Sequence, residues 1–280
     1  MSVAPRRGRR AIVAAIAAMI LALTSLIGSV SAAPTPEPRI IGGEPADFGE
    51  YPFMVALLFE PTEGTDFQKQ YCGGSLIASR WVLTAAHCVD FLESPDEVAV
   101  AVSRTNLDSS EGVRVDVRAF YVHPDYDPNV ISPDVGLLEL ARPVRDIEPI
   151  QLAGPGDDAF EAPGTSLTVI GWGNTSTTGQ ASFPNELREV VVPVVDDADC
   201  DFAYHGFVTV ETQLCAGLKG VDSCGGDSGG PLFATTSGGE FLQVGIVSYG
   251  IGCAKQRFPG VYTEVNSPTV RGFIADVAGV

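Results

Sequence analysis

From Phe53 onward, short apolar stretches alternate with turn-rich segments at the spacing of strands joined by tight connections. Phe53–Phe59, Val98–Val102, Gly136–Leu140, Leu167–Gly171, Leu187–Val195, Leu242–Val247 and Val261–Val265 are such stretches. Between Val113 and Arg118 the period is two: Val113, Val115 and Val117 alternate with Arg114, Asp116 and Arg118, the pattern of a half-exposed strand. The period changes at the end of the chain. Ser267 can cap a helix with Pro268 in its first turn, and Val270, Phe273, Ile274 and Val277 then fall on one face. The pattern predicts two β-rich halves and one terminal helix.

Composition adds compartment and size. Of the 280 residues 45% are apolar, enough to bury one substantial core or two small ones, and 31 Gly and 20 Pro supply many turns. Arg6, Arg7, Arg9 and Arg10 precede an apolar run from Ala11 to about Val30, closed by the small residues of Val30-Ser31-Ala32. A basic head, an apolar middle and a small-x-small end predict a secretory signal peptide over 1–32. A permanent membrane anchor is the alternative, disfavoured by Thr24, Ser25 and Gly28 within the run. Six cysteines suit an oxidising compartment, but they allow fifteen pairings. No Cys-x-x-Cys or His-x-x-x-His spacing supports a zinc site, and Arg104–Val113 lacks a clear pair of acidic ligands around a loop for calcium, so no metal or other cofactor is expected. The formal charge of −18 disfavours nucleic acid and anionic membrane as partners and modestly favours cationic substrates.

The segment Asp222-Ser-Cys-Gly-Gly-Asp-Ser-Gly-Gly-Pro231 concentrates the chemistry. Glycines around Ser228 permit a sharp turn that exposes the hydroxyl and lets backbone N–H groups converge. A serine hydroxyl becomes a nucleophile only when a neighbouring base takes its proton, and the chain offers only His87, His123 and His205. Gly226-Asp-Ser-Gly-Gly230 also fits the Gly-x-Ser-x-Gly elbow of α/β-hydrolases. In that fold the histidine follows the serine, and here every histidine precedes it.

Leu83-Thr-Ala-Ala-His-Cys88, then Asp134-Val-Gly-Leu-Leu, then Gly-Asp-Ser-Gly-Gly230 stand in the order His, Asp, Ser. With Gly171-Trp-Gly173, Cys72-Gly-Gly-Ser-Leu-Ile77 and Pro259-Gly-Val-Tyr262, the chain from about Arg39 onward resembles the chymotrypsin and trypsin family of serine endopeptidases. The resemblance implies an all-β fold of two six-stranded antiparallel barrels, with the active site between them and a C-terminal helix. It implies Ser228 as nucleophile, His87 as base and then acid, Asp134 as the group that orients His87, and the N–H groups of Gly226 and Ser228 as the oxyanion hole. Asp125 and Asp127 are the nearby alternatives to Asp134, and His123 and His205 read as loop residues. It further implies the disulfides Cys72–Cys88, Cys200–Cys215 and Cys224–Cys253.

Arg39-Ile40-Ile41-Gly42-Gly43 resembles the activation site of the same family. Residues 33–39 then read as a propeptide and 40–280 as the protease domain, with the freed amine of Ile40 pairing Asp227. That cut leaves 12 basic and 34 acidic side chains, a net charge of −22. Asp222, six positions before Ser228, matches the carboxylate at the floor of a trypsin-like pocket, with Gly250 and Gly260 at its walls. Ser248-Tyr249-Gly250 is expected to offer main-chain contacts to substrate, with Tyr249 where trypsin carries tryptophan. The implied protein is a secreted, extracellular, monomeric zymogen whose partners are polypeptides with Arg or Lys at the cut site and protein inhibitors of proteases. An inactive, protease-shaped binding protein is the competing class, and the complete His, Asp, Ser set argues against it.

Overall fold

The computed structural model describes Met1, residues 41–176 and residues 180–280. The signal-peptide, propeptide and Arg39–Ile40 expectations lie outside the described residues. The first barrel is built from β2 (Met54–Phe59), β3 (Gln70–Ala78), β4 (Trp81–Thr84), β5 (Val98–Val102), β6 (Val113–Val122) and β7 (Gly136–Leu140). It closes in the order β2-β3-β4-β7-β6-β5, sealed by the antiparallel pairing of β2 with β5 from Val55↔Val102 to Phe59↔Val98.

Local sequence explains these strands. All five residues of the Val-Ala-Val-Ala-Val run in β5 are buried, so both faces of the strand are covered. In β6 the period of two is realised: Val115 and Val117 are buried while Arg114, Asp116 and Arg118 face solvent. A fully buried valine or leucine contributes roughly 1.5–3 kcal/mol relative to exposure, so a charge placed at Val100 would destabilise the barrel.

The second barrel uses β9 (Ser166–Gly171), β10 (Arg188–Val195), β11 (Gln213–Ala216), β12 (Pro231–Thr235), β13 (Phe241–Tyr249) and β14 (Gly260–Glu264). Its order is β10-β11-β14-β13-β12-β9, and β9 pairs back onto β10 to close it. Two short strands decorate it: β1 (Glu44–Pro45) pairs antiparallel with β10, and β8 (Gln151–Leu152) runs parallel to β13. The fold is therefore the all-β pair of six-stranded barrels expected from the resemblance. Leu167, Val169, Val192, Leu232, Val244 and Tyr262 fill the second core.

Between the barrels, the rings of Tyr51, Phe53, Phe233 and Phe241 pack with centroids 5.3–6.1 Å apart. The buried Ser75 hydroxyl on β3 donates to Gln243 Oε1 on β13 at 2.6 Å. These contacts fix one barrel against the other. Among the described residues three α-helices accompany the barrels: α1 (Asp66–Lys69), α2 (Asp197–Ala203) and α3 (Pro268–Ala278). In α3 Val270 and Ile274 are buried as the periodicity predicts, and Pro268 sits in the first turn. Ser267 occupies the capping position, but its hydroxyl donates to the Glu211 carbonyl at 2.6 Å rather than capping the helix.

Candidate active site

β4 runs into a single tight turn, Ala86–Cys88, that carries His87 at the barrel rim. The Cys72–Cys88 disulfide ties this turn to β3. Asp134 lies at the entry to β7 and is fully buried. Its Oδ2 stands 2.8 Å from His87 Nδ1, and its Oδ1 accepts the His87 backbone N–H at 3.0 Å. The Ser248 hydroxyl donates to Oδ2 as well, and the Asp134 carbonyl accepts the Thr263 hydroxyl at 2.9 Å. A buried carboxylate is tolerated only when donors surround it, and here they come from two segments distant in sequence, His87 and Ser248.

Burial alone would lower the His87 pKa. The hydrogen bond and charge of Asp134, with the charge of Asp90, outweigh it and hold the pKa above the ordinary histidine value. With Nδ1–H donated to Asp134, the neutral ring carries its lone pair on Nε2, where it can accept a proton.

Ser228 sits on the turn between Cys224 and Pro231. Its carbonyl accepts the Gly73 N–H of β3 at 2.7 Å. Gly229 adopts φ +79°, and a Cβ there would lie 2.2 Å from Thr84 Oγ1 and 3.2 Å from Ala85 N. Only glycine lets the serine turn press so closely on the strand end that leads to His87. Among the described residues no hydrogen bond joins the Ser228 hydroxyl to His87; backbone packing brings the two segments together, and such bonds often tighten only with substrate. Cys72, His87 and Cys88 are close enough to suggest a metal site, but both sulfurs are engaged in the disulfide.

Asp227 turns away from the serine into the interior, fully buried, accepting the N–H groups of Cys224 at 2.9 Å and Gly173 at 2.8 Å. Burial raises its pKa to about 6 against the lowering effect of those donors. Ile41 is buried and bridges to Asp222, whose N–H donates to the Ile41 carbonyl at 3.2 Å.

Beside Ser228 opens a cavity of about 260 Å³ that Asp222, Ser248, Tyr249, Gly250 and Gly260 help to line. Asp222 is 2% exposed; its Oδ2 accepts the Ala254 N–H at 2.8 Å, and its Oδ1 has no hydrogen-bond partner. Desolvation raises its pKa to about 7, against lowering by the Ala254 N–H and by the nearby backbone N–H groups of Ser223 and Gly260. A Cβ on Gly260 would lie 2.8 Å from Oδ1, so any side chain there would crowd the carboxylate. The Cys224–Cys253 disulfide braces the same wall, and Cys200–Cys215 joins α2 to β11.

Of the alternatives, the Asp125 N–H donates to His123 Nδ1 and Asp127 accepts from Asn129, so neither orients His87. His123 is a buried residue with its ring 5.1 Å from that of Phe273, whereas His205 is an exposed turn residue at φ +58°. Ser248 has a role that sequence reasoning missed, the side-chain bond to Asp134, and no local signal announces it. Arg39 and Ile40 remain outside the described residues.

Paired β-barrels that present an aspartate-held histidine, and a serine on a glycine-rich turn beside an acid-floored cavity, define a serine hydrolase of the two-barrel class. A family model described as Trypsin matches residues 40–271. A trypsin from Saccharopolyspora erythraea is 40% identical, covering 81% of this chain and 94% of its own length. A trypsin-like protease from Streptomyces glaucescens is 37% identical over 99% of this chain and 96% of its own. A mouse tryptase (Mus musculus) is 37% identical over 88% and 93%. The chain belongs to the trypsin family and is a trypsin-like serine endopeptidase acting on polypeptides.

Proposed function

We propose that this chain is the precursor of a secreted endopeptidase that cuts after arginine or lysine and becomes active on cleavage after Arg39. The observation that carries the specificity is the Asp222 carboxylate, buried at the cavity with one oxygen unbonded. A long cationic side chain entering beside Ser228 supplies the missing partner, and a neutral one leaves a buried charge uncompensated.

The geometry supports the following reaction. The Ser228 hydroxyl oxygen attacks the scissile carbonyl carbon while His87 Nε2 takes its proton. Asp134, satisfied by three donors, keeps the imidazole in the right tautomer and stabilises the imidazolium. The N–H groups of Gly226 and Ser228 bind the oxyanion of the tetrahedral intermediate. His87 returns the proton to the leaving amine, the C–N bond breaks, and an ester on Ser228 remains. Water then attacks that ester with His87 as base, releasing the carboxylate product and restoring the serine.

Residues 1–32 direct export and 33–39 form the propeptide. Cleavage after Arg39 frees the Ile40 amine, whose positive charge pairs with Asp227 and fixes the serine turn. Because Arg39 suits the pocket, the enzyme is its own candidate activator.

The test uses chromogenic peptides ending in Arg, Lys, Phe or Ala with uncut precursor, protein cut after Arg39, and cut Ser228→Ala. Hydrolysis of the Arg and Lys peptides alone, gained on cutting and absent from Ser228→Ala, is expected. Equal turnover of Phe or Ala peptides would overturn the specificity, and full activity of the uncut chain would overturn the activation.

A further inference from the structure

Three successive peptide groups around the proposed oxyanion hole are each held by a hydrogen bond. The Gly225 carbonyl accepts the Asn174 N–H at 2.8 Å, which turns the Gly226 N–H of the same peptide the opposite way. The Asp227 carbonyl accepts the Gly230 N–H at 2.9 Å and orients the Ser228 N–H likewise. The peptide between them is held at its N–H by the Cys224 carbonyl, at 3.0 Å from Asp227 N, and at its carbonyl by a side chain from the other barrel. Gln70 Nε2, at the start of β3, donates to the Gly226 carbonyl at 2.9 Å and to the Cys72 carbonyl at 3.2 Å.

Gln70 is well placed to hold rather than merely touch. It is partly buried, and its second bond, to its own strand, fixes the carboxamide so that the Gly226 contact is not left to a free rotor. Gly226 has φ +101°, a conformation with few intrinsic restraints, so its geometry depends on outside contacts. Three residues along the same strand, the Gly73 N–H grips the Ser228 carbonyl, so β3 holds the serine turn on both sides of Asp227. Of the hydrogen bonds described here between β3 and the Gly226 and Ser228 carbonyls, the Gln70 bond is the one that mutation of a side chain can remove.

We propose that Gln70 is a positioning residue for the oxyanion hole, fixing from the first barrel the Gly226–Asp227 peptide that links the two donor peptides; this rests on the reading of Gly226 and Ser228 as oxyanion donors. An oxyanion donor works only when aimed before the charge develops, so loosening the peptide that links the two donors weakens transition-state binding more than ground-state binding.

The test compares cut wild type with Gln70→Met, which keeps the length and loses the donor, and Gln70→Ala, each normalised by active-site titration. For Gln70→Met, kcat is expected to fall about tenfold with KM nearly unchanged, less than loss of a donor itself. Affinity for a peptide aldehyde ending in arginine, which forms a hemiacetal oxyanion, should fall by the same factor. Affinity for benzamidine, which fills only the Asp222 pocket, should stay constant. Equal weakening of aldehyde and benzamidine would mean general loosening and overturn the proposal, as would no change in either. Should wild type bind the aldehyde no better than the matching alcohol, the oxyanion-hole reading itself fails, a result distinct from both. Should Gln70→Met fail to fold, Gln70→Ala provides the same comparison.

Discussion

The buried Asp227 carboxylate makes the activation reading measurable as a pH-dependent stability. In the uncut chain the carboxylate has two backbone donors, from Cys224 and Gly173, and burial lifts its pKa to about 6. An unfolded chain titrates this group near the model-peptide value of roughly 3.9. Between those values the folded chain holds a proton that the unfolded chain has released. The contribution of this group to stability is therefore whole below about pH 4 and is lost as pH rises through about 6. A shift of roughly two units corresponds to about 3 kcal/mol lost by pH 7. On the proposed activation, cleavage after Arg39 would place an ammonium beside the carboxylate and return its pKa to the unfolded value or below, removing the loss. Pairing would raise the amine, whose ordinary pKa is roughly 7.7–8.0, so its own contribution would persist to mildly alkaline pH and then fade. Denaturant unfolding of cut and uncut Ser228→Ala protein from pH 4 to 9, disulfides intact, reads the difference directly. Cut minus uncut should be smallest near pH 4, grow by about 3 kcal/mol by pH 7, and shrink again in alkali. A difference that stays flat from pH 4 to 7, or one that survives Asp227→Asn, would refute the pairing.

The remaining predictions concern the reaction and its specificity. With His87 held above the ordinary histidine value by Asp134 and Asp90, kcat/KM should fall as pH drops through a value above about 6.5. Asp134→Asn should move that limb to lower pH and cut kcat by orders of magnitude; an unmoved limb would remove Asp134 from the role. Asp222→Ser should abolish cleavage after Arg and Lys while leaving active-site titration intact, and retained arginine preference would sink the pocket assignment. In the wild type, benzamidine affinity should fall about tenfold per unit below about pH 7, because the raised carboxyl must lose its proton to pair. Finally, the segment from Asn174 to Leu187 contains no Lys or Arg, so mass spectrometry of aged enzyme should find no major self-cleavage there.

Local signals carried much of the fold and the candidate site, and their limits are physical. Strands such as β5 and β6 were legible because burial on two faces or on one leaves a continuous or an alternating apolar pattern. Two-residue strands such as β1 and β8 leave no period to read. Helix α2 is written in acidic residues, with Cys200 its only buried position, so its apolar periodicity is silent. Its one usable mark is Asp196, whose side chain accepts the Ala198 N–H at the N-terminus. Around the site, the serine turn and the histidine turn declare themselves because each needs a particular run of small residues within a few positions. The groups that hold those turns obey no such constraint. Ser248 reaches Asp134 across 114 positions, and Gln70 reaches Gly226 across 156. Each pairing exists because barrel closure and barrel docking bring two backbones together, and a hydroxyl or a carboxamide at either end carries no trace of its partner. His123 makes the same point in reverse: a loop position by sequence, it is buried because α3 lays Phe273 over it. Reactive groups are thus local and readable, whereas the preorganisation that makes them effective is a property of packing.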